Sequence, residues 1–154
     1  MDQSRTDDLP ADLKGTYEHV LDPKGRLTLP VPFRSSLMQG GSPTFLLALD
    51  KTSIVLMPPI VWRRFVGSLG GLKMTDEKAS NVRRFILSHS FDCAMDDQGR
   101  ALVPPKLREL ASIGRDVTLL GSGDRVEIWD RARWNAYLND GRDSFVRDAR
   151  DLGL

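Results

Sequence analysis

Apolar and polar positions alternate between two periods along the chain, and their order occurs twice. Residues 16–22 and 26–29 are short β-rich segments, and so are 44–49 and 53–57, where Phe45-Leu-Leu-Ala-Leu49 and Ile54-Val-Leu-Met57 are nearly unbroken apolar runs. A helical period follows. Trp62, Phe65, Val66 and Leu69 stand at i, i+3, i+4 and i+7, and Gly70-Gly71 stops the stripe. Residues 76–88 predict a further helix with Ala79, Val82, Phe85 and Ile86 inward. Segments 116–121 and 125–129 read as strands, and Trp134, Tyr137 and Leu138 form a second stripe, with Gly141 in the place of Leu69 and Phe145 beyond. Prolines opening 30–38 and 104–111, ahead of apolar residues three and four apart, predict two short helices.

The repetition is explicit at a shift of 74 residues. Tyr17 to Pro30 then lies over Phe91 to Pro104, with Asp22 on Asp96, Gly25 on Gly99, Arg26 on Arg100 and Arg34 on Arg108. At a shift of 72, Phe45-Leu-Leu-Ala covers Val117-Thr-Leu-Leu and Trp62 covers Trp134; the change falls near 39–42. A unit of about fifty residues is therefore duplicated. One such unit buries little apolar surface alone and leaves strand edges open, so two are expected to interlock. The expected fold is α+β, mainly β: two tandem units forming one pseudo-twofold β-barrel with flanking helices. The expected segments are a disordered arm 1–14, a first unit 15–66, a linker and helix 67–89, a second unit 90–140 and a helical tail 141–154.

Composition narrows the function. The 154 residues suit one domain, and no run of 18 apolar residues offers a membrane span. One cysteine, Cys93, excludes an intramolecular disulfide, fits a reducing compartment and reads as a small core residue. Two histidines and one cysteine leave little for zinc; His89 and Cys93 are four apart but fall on different elements. Walker, dinucleotide, GxSxG and HExxH patterns are all missing, so no enzyme, cofactor, metal or small-molecule substrate is expected. A net charge of +1 looks poor for nucleic acid. Yet residues 15–66 carry six basic residues against three acidic ones, and 90–140 carry seven against nine. Basic halves repeated in an assembly would present a strong local field.

The chemistry gathers at the first turn of each unit. Gly25 is free to adopt positive φ, Pro23 pre-sets a turn, and the Asp22 carboxylate is placed to accept the N–H groups that follow. Asp96-Asp-Gln-Gly99 repeats this without the proline. A hairpin tip or two-stranded ribbon fits the major groove of DNA. Arg26, just past the tip glycine, could fork onto guanine O6 and N7, worth roughly 1–3 kcal/mol of discrimination. Lys24 suits phosphate, and Asp22 could hold Arg26 in one rotamer. Arg34 and Lys14 are candidate flanking phosphate contacts, with His19 if it faces the groove. The competing reading of Asp22 and Arg26 is a surface salt bridge bracing the turn, worth about 0–1 kcal/mol. Trp62 and Trp134 read as core or subunit interface. Arg63, Arg64, Arg83 and Arg84 read as a solvated face or ring interface.

Taken together, Gly15-Thr-Tyr-Glu-His-Val-Leu-Asp22-Pro-Lys-Gly-Arg26-Leu-Thr-Leu-Pro30, Asp96-Asp-Gln-Gly-Arg100-Ala-Leu-Val-Pro104-Pro-Lys-Leu-Arg108 and Glu127-Ile-Trp129-Asp130 resemble the MraZ family over roughly residues 14–140. The resemblance implies a double AbrB-type swapped-hairpin domain and a ring-shaped homo-oligomer. It also implies binding of double-stranded DNA at tandem direct repeats, in the promoter of the protein's own division and cell-wall operon. A cytoplasmic, nucleoid-associated repressor is the function that follows. The family's DNA-binding motif falls on Asp22, Lys24, Gly25 and Arg26, and its second copy on Asp96, Gly99 and Arg100. Three departures stand out, the first being an acidic arm, 1–13, ahead of the family's usual start near Gly15. The family's usual Arg before the first glycine is Lys14 here, and the second motif adds Asp97 and lacks a counterpart of Lys24. The alternative is a ring-forming scaffold with only weak, non-specific DNA contact. Salt separates the two, because phosphate binding weakens steeply as salt rises.

Overall fold

The computed structural model describes residues 12–38, 41, 44–71 and 75–154. The arm over 1–11 and most of the loop where the repeat shift changes lie outside the described residues. The order is β1 (Thr16–Val20), β2 (Arg26–Thr28), α1 (Val31–Leu37), β3 (Thr44–Leu49), β4 (Ile54–Met57), α2 (Pro59–Gly70) and α3 (Glu77–Ser88). Then follow β5 (Phe91–Ala94), β6 (Arg100–Leu102), α4 (Pro105–Leu110), β7 (Asp116–Gly121), β8 (Val126–Asp130) and α5 (Arg131–Asp151).

Six strands form one antiparallel sheet in the order β1-β7-β8-β4-β3-β5, and β2 pairs with β6 in a separate ribbon. The first strand of each half thus lies on the other half: β1 on β7, with Tyr17 opposite Leu119, and β5 on β3, with Cys93 opposite Phe45. β4 and β8 pair across the middle, Val55 opposite Glu127. This is the interlocking that small units with open edges require.

The expected barrel is not formed. Among the described residues the sheet stays open, with β1 and β5 at its edges. The reason lies in β2 and β6, three residues each, which pair with one another instead of extending either edge. Pro30 and Pro104 follow them closely, and proline has no N–H with which to lengthen a ladder.

Alternation along the strands assigns the layers. Phe45, Leu47, Ile54, Leu56, Val117, Leu119, Val126 and Ile128 face one side, where they meet Leu27 and Ala101 of the ribbon, Phe33 of α1 and Leu107 of α4. Ala48, Val55 and Met57 face the other side, under Val61, Trp62 and Phe65 of α2. Trp129 on that side packs on Trp134 and Tyr137 of α5 at 5.2 Å between ring centroids. The central strands are buried on both faces, which explains their unbroken apolar runs. Leu13 and Lys14, the end of the expected arm, run along the sheet: Leu13 is buried and exchanges backbone hydrogen bonds with Gly123 at 3.0 and 2.9 Å. α5 passes through Gly141 as one helix.

Candidate nucleic-acid interface

Each tip is held by its own aspartate. Asp22 accepts from the Lys24 N–H at 2.9 Å, from the Arg26 N–H at 2.8 Å and from Arg26 Nε at 2.6 Å. Asp96 accepts from the Gln98 N–H, the Arg100 N–H and Arg100 Nε at 2.9, 2.9 and 2.8 Å. The backbone bond from the arginine, then its side chain and the second N–H, hold each carboxyl below the usual carboxylate range, against a desolvation that raises it. Gly25 and Gly99 have φ of 81° and 75°, the left-handed region that closes both turns.

The two tips share one surface. In the ribbon Leu27 lies opposite Ala101, Arg26 opposite Leu102 and Thr28 opposite Arg100. Leu27 and Ala101 are buried, so the alternation turns Arg26, Thr28, Arg100 and Leu102 outward together. Arg100 Nη1 also comes within 3.9 Å of Asp22 Oδ2, which links the two motifs across the halves. The outward face is a two-stranded strip with two oriented guanidiniums, each with a quarter to a third of its side chain exposed. A two-stranded ribbon is a shape that a major groove about 12 Å across admits.

Two other candidates from the sequence lie away from the first tip. Arg34 donates Nε to Leu29 O at 2.6 Å, and its guanidinium sits against Gly99, the second tip, not against the first. Lys14 lies at the far end of β1, beside Gly121, with the strand's length of about 13 Å between it and the first tip. His19 is partly buried; its backbone carbonyl accepts from Arg131 Nη2 at 2.7 Å. Burial first, and Arg131 second, lower its pKa. The sequence marks Arg108 only as the repeat match of Arg34. The Arg108 guanidinium lies against Gly25. Cys93 is buried, which pushes its thiol pKa up. The described residues contain no helix long and apolar enough to cross a membrane and no cluster fit for a metal ion.

Comparison with known proteins agrees over most of the chain. The family described as "MraZ protein, putative antitoxin-like" matches residues 86–153. A transcriptional regulator MraZ of Heliobacterium modesticaldum is 40% identical over 138 residues, 90% of this chain and 94% of the relative. The protein of that name from Herpetosiphon aurantiacus is 36% identical over 90% of this chain and 92% of its own length. That from Bifidobacterium longum is 35% identical over 94% of each. Fold, ribbon and relatives together define the class, a DNA-binding transcription regulator. Within that class, the chain belongs to the MraZ family.

Proposed function

We propose that the chain is a sequence-specific repressor that binds tandem direct repeats in the promoter of its own division and cell-wall operon. In this reading the halves 15–66 and 90–140 are two AbrB-like units, and the ribbon enters the major groove from a nucleoid-bound, cytoplasmic ring. Arg26 reads a base, Lys24 contacts phosphate, and Asp22 and Gly25 fix the tip. Arg100 makes a weaker second contact, because Asp96 and Asp97 flank it with negative charge. Arg34 and Lys14 have no direct base-reading role here.

The observation that carries the reading is the shared outward face: Arg26 and Arg100 stand on one surface of one ribbon, each clamped by its own aspartate. A brace alone needs no common face. Self-assembly is supported by apolar surface left open. Tyr137, Leu138 and Phe145 of α5 are exposed, Phe145 by 70%, and Val82 and Phe85 of α3 line an apolar groove with Leu49, Ile86 and Leu110. Apolar surfaces at different places on one chain favour head-to-tail contacts, which form a ring where the rotation between copies closes.

The test is a gel shift and footprint on the DNA upstream of the gene, with wild type, Arg26→Ala and Arg100→Glu. Arg26→Ala is expected to lose the specific shift while its oligomer elutes unchanged, and Arg100→Glu to lose less. Wild-type affinity in Arg26→Ala would refute the ribbon as the reading surface. A shift without sequence preference or steep salt dependence would favour the scaffold instead.

A further inference from the structure

The two tips have different surroundings, and the difference arises between the halves. The Val103 N–H donates to Gly25 O at 3.0 Å, which brings α4 up to the first tip. Arg108 of α4 lays its guanidinium on Gly25: a Cβ there would stand 3.0 Å from Nη2 and 3.1 Å from Cζ. The matching bond from the Leu29 N–H to Gly99 O, also 3.0 Å, brings α1 and Arg34 to the second tip.

These arginines are occupied to different degrees. Arg34 Nε is bonded to Leu29 O, and the side chain borders a shallow depression with Asp96 and Asp97. Arg108 Nε is buried with no hydrogen-bond partner, and the side chain makes no ion pair among the described residues. Gly25 beneath it is flanked in the chain by Lys24 and Arg26. The nearby carboxylate, Asp22, already accepts from both neighbours. The terminal Nη groups are not buried and make no hydrogen bond among the described residues, so these, unlike the buried Nε, are open to an anionic acceptor from outside.

We infer that Arg108, carried by the second half, is a DNA-phosphate contact of the first tip, so that Lys24, Arg26 and Arg108 form one anion-binding surface. The inference rests on the ribbon facing DNA. It reverses the role expected from sequence distance: Arg34 braces the second tip, and its repeat partner serves the first. The half that is acidic overall thereby supplies a cation to the basic one.

The experiment is a set of binding titrations at several salt concentrations, with a labelled duplex of the upstream promoter DNA. The variants are Arg26→Ala, Arg108→Met, Arg108→Lys and Arg34→Met; methionine keeps an apolar stem beside Gly25 without charge. Arg108→Met is expected to bind about tenfold more weakly, with a log–log salt slope shallower by about 0.9, the loss of one phosphate contact. Arg108→Lys should keep the slope, and Arg34→Met should leave it unchanged. Weaker binding of Arg108→Met with an unaltered slope would make Arg108 a structural brace and overturn the inference, as would wild-type affinity. If Arg108→Met does not fold, the slope of Arg108→Gln decides in the same way. Wild-type binding by Arg26→Ala would instead overturn the DNA-facing ribbon itself, whatever Arg108 does.

Discussion

At the scale of single residues, the tips are built from the same parts but fixed by different neighbours. A Cβ on Gly99 would run into the Arg34 guanidinium, and Gly99 also has a φ of 75°. Gly123 has a φ of 81° with nothing near its absent Cβ. Gly123→Ala therefore carries only the left-handed strain, about 1–2 kcal/mol. Gly99→Ala must in addition displace the guanidinium that bonds Leu29 O, and should cost about 1 kcal/mol more by urea unfolding. Equal losses would show that Arg34 yields freely and does not brace the tip. The carboxylates Asp22 and Asp96 follow a plain sign. Their pKa values are depressed, so their contribution is present above the unfolded carboxylate range and is lost only as pH falls through the folded values. The tips therefore keep their form at neutral pH.

At the scale of elements, β1 gains its place from outside its own half. It is held by β7, and Arg131 at the start of α5 donates to the carbonyls of His19 and Val117 at 2.7 and 3.3 Å. The partly buried His19 of this strand gives the molecule a pH dependence. The folded state lowers the pKa of His19 through burial and then through Arg131, so below about 6.5 the unfolded chain takes up a proton more readily. The stabilising effect is full above that pH and declines as pH falls through it. The melting temperature should drop between pH 7.5 and 5.5, and His19→Gln should flatten the drop. An identical slope in the variant would place the titration elsewhere. The ribbon is the other element whose partner is remote. Its strands are too short to stand alone, and they persist because Leu27 and Ala101 are buried against the sheet.

At the scale of the whole molecule, one ribbon covers only a few base pairs, which limits what one chain can hold. If exposed apolar faces join several copies, each bound ribbon raises the effective concentration of the next at its repeat. Under the proposed function, a duplex with three correctly spaced repeats should bind at least about tenfold more tightly than one repeat. Altering the spacing by half a helical turn should remove the gain. Equal affinity for one and three repeats would eliminate assembly as the source of binding strength. The charge pattern acts at this scale too. A nearly neutral chain has a basic first half, and Arg108 of its acidic second half lies against the Gly25 tip of the first.

Sequence alone determined the local elements and the duplication. Strand, turn, helix and tryptophan recur in order because hydrophobic period, proline and glycine act within a few residues. The Asp–x–x–x–Arg clamp was legible for the same reason: donor and acceptor lie four residues apart in one turn. Tertiary structure alone decided which half completes which. The pairing of β1 with β7 and of β2 with β6, the open sheet where a barrel was expected, and the exchange of Arg34 and Arg108 between tips all depend on contacts between residues far apart in the chain, from 65 (Arg34 to Gly99) to 104 (Thr16 to Leu120). In two matching halves, local pattern cannot distinguish a strand's own partner from its copy. Only the packing of both halves around one core makes that choice.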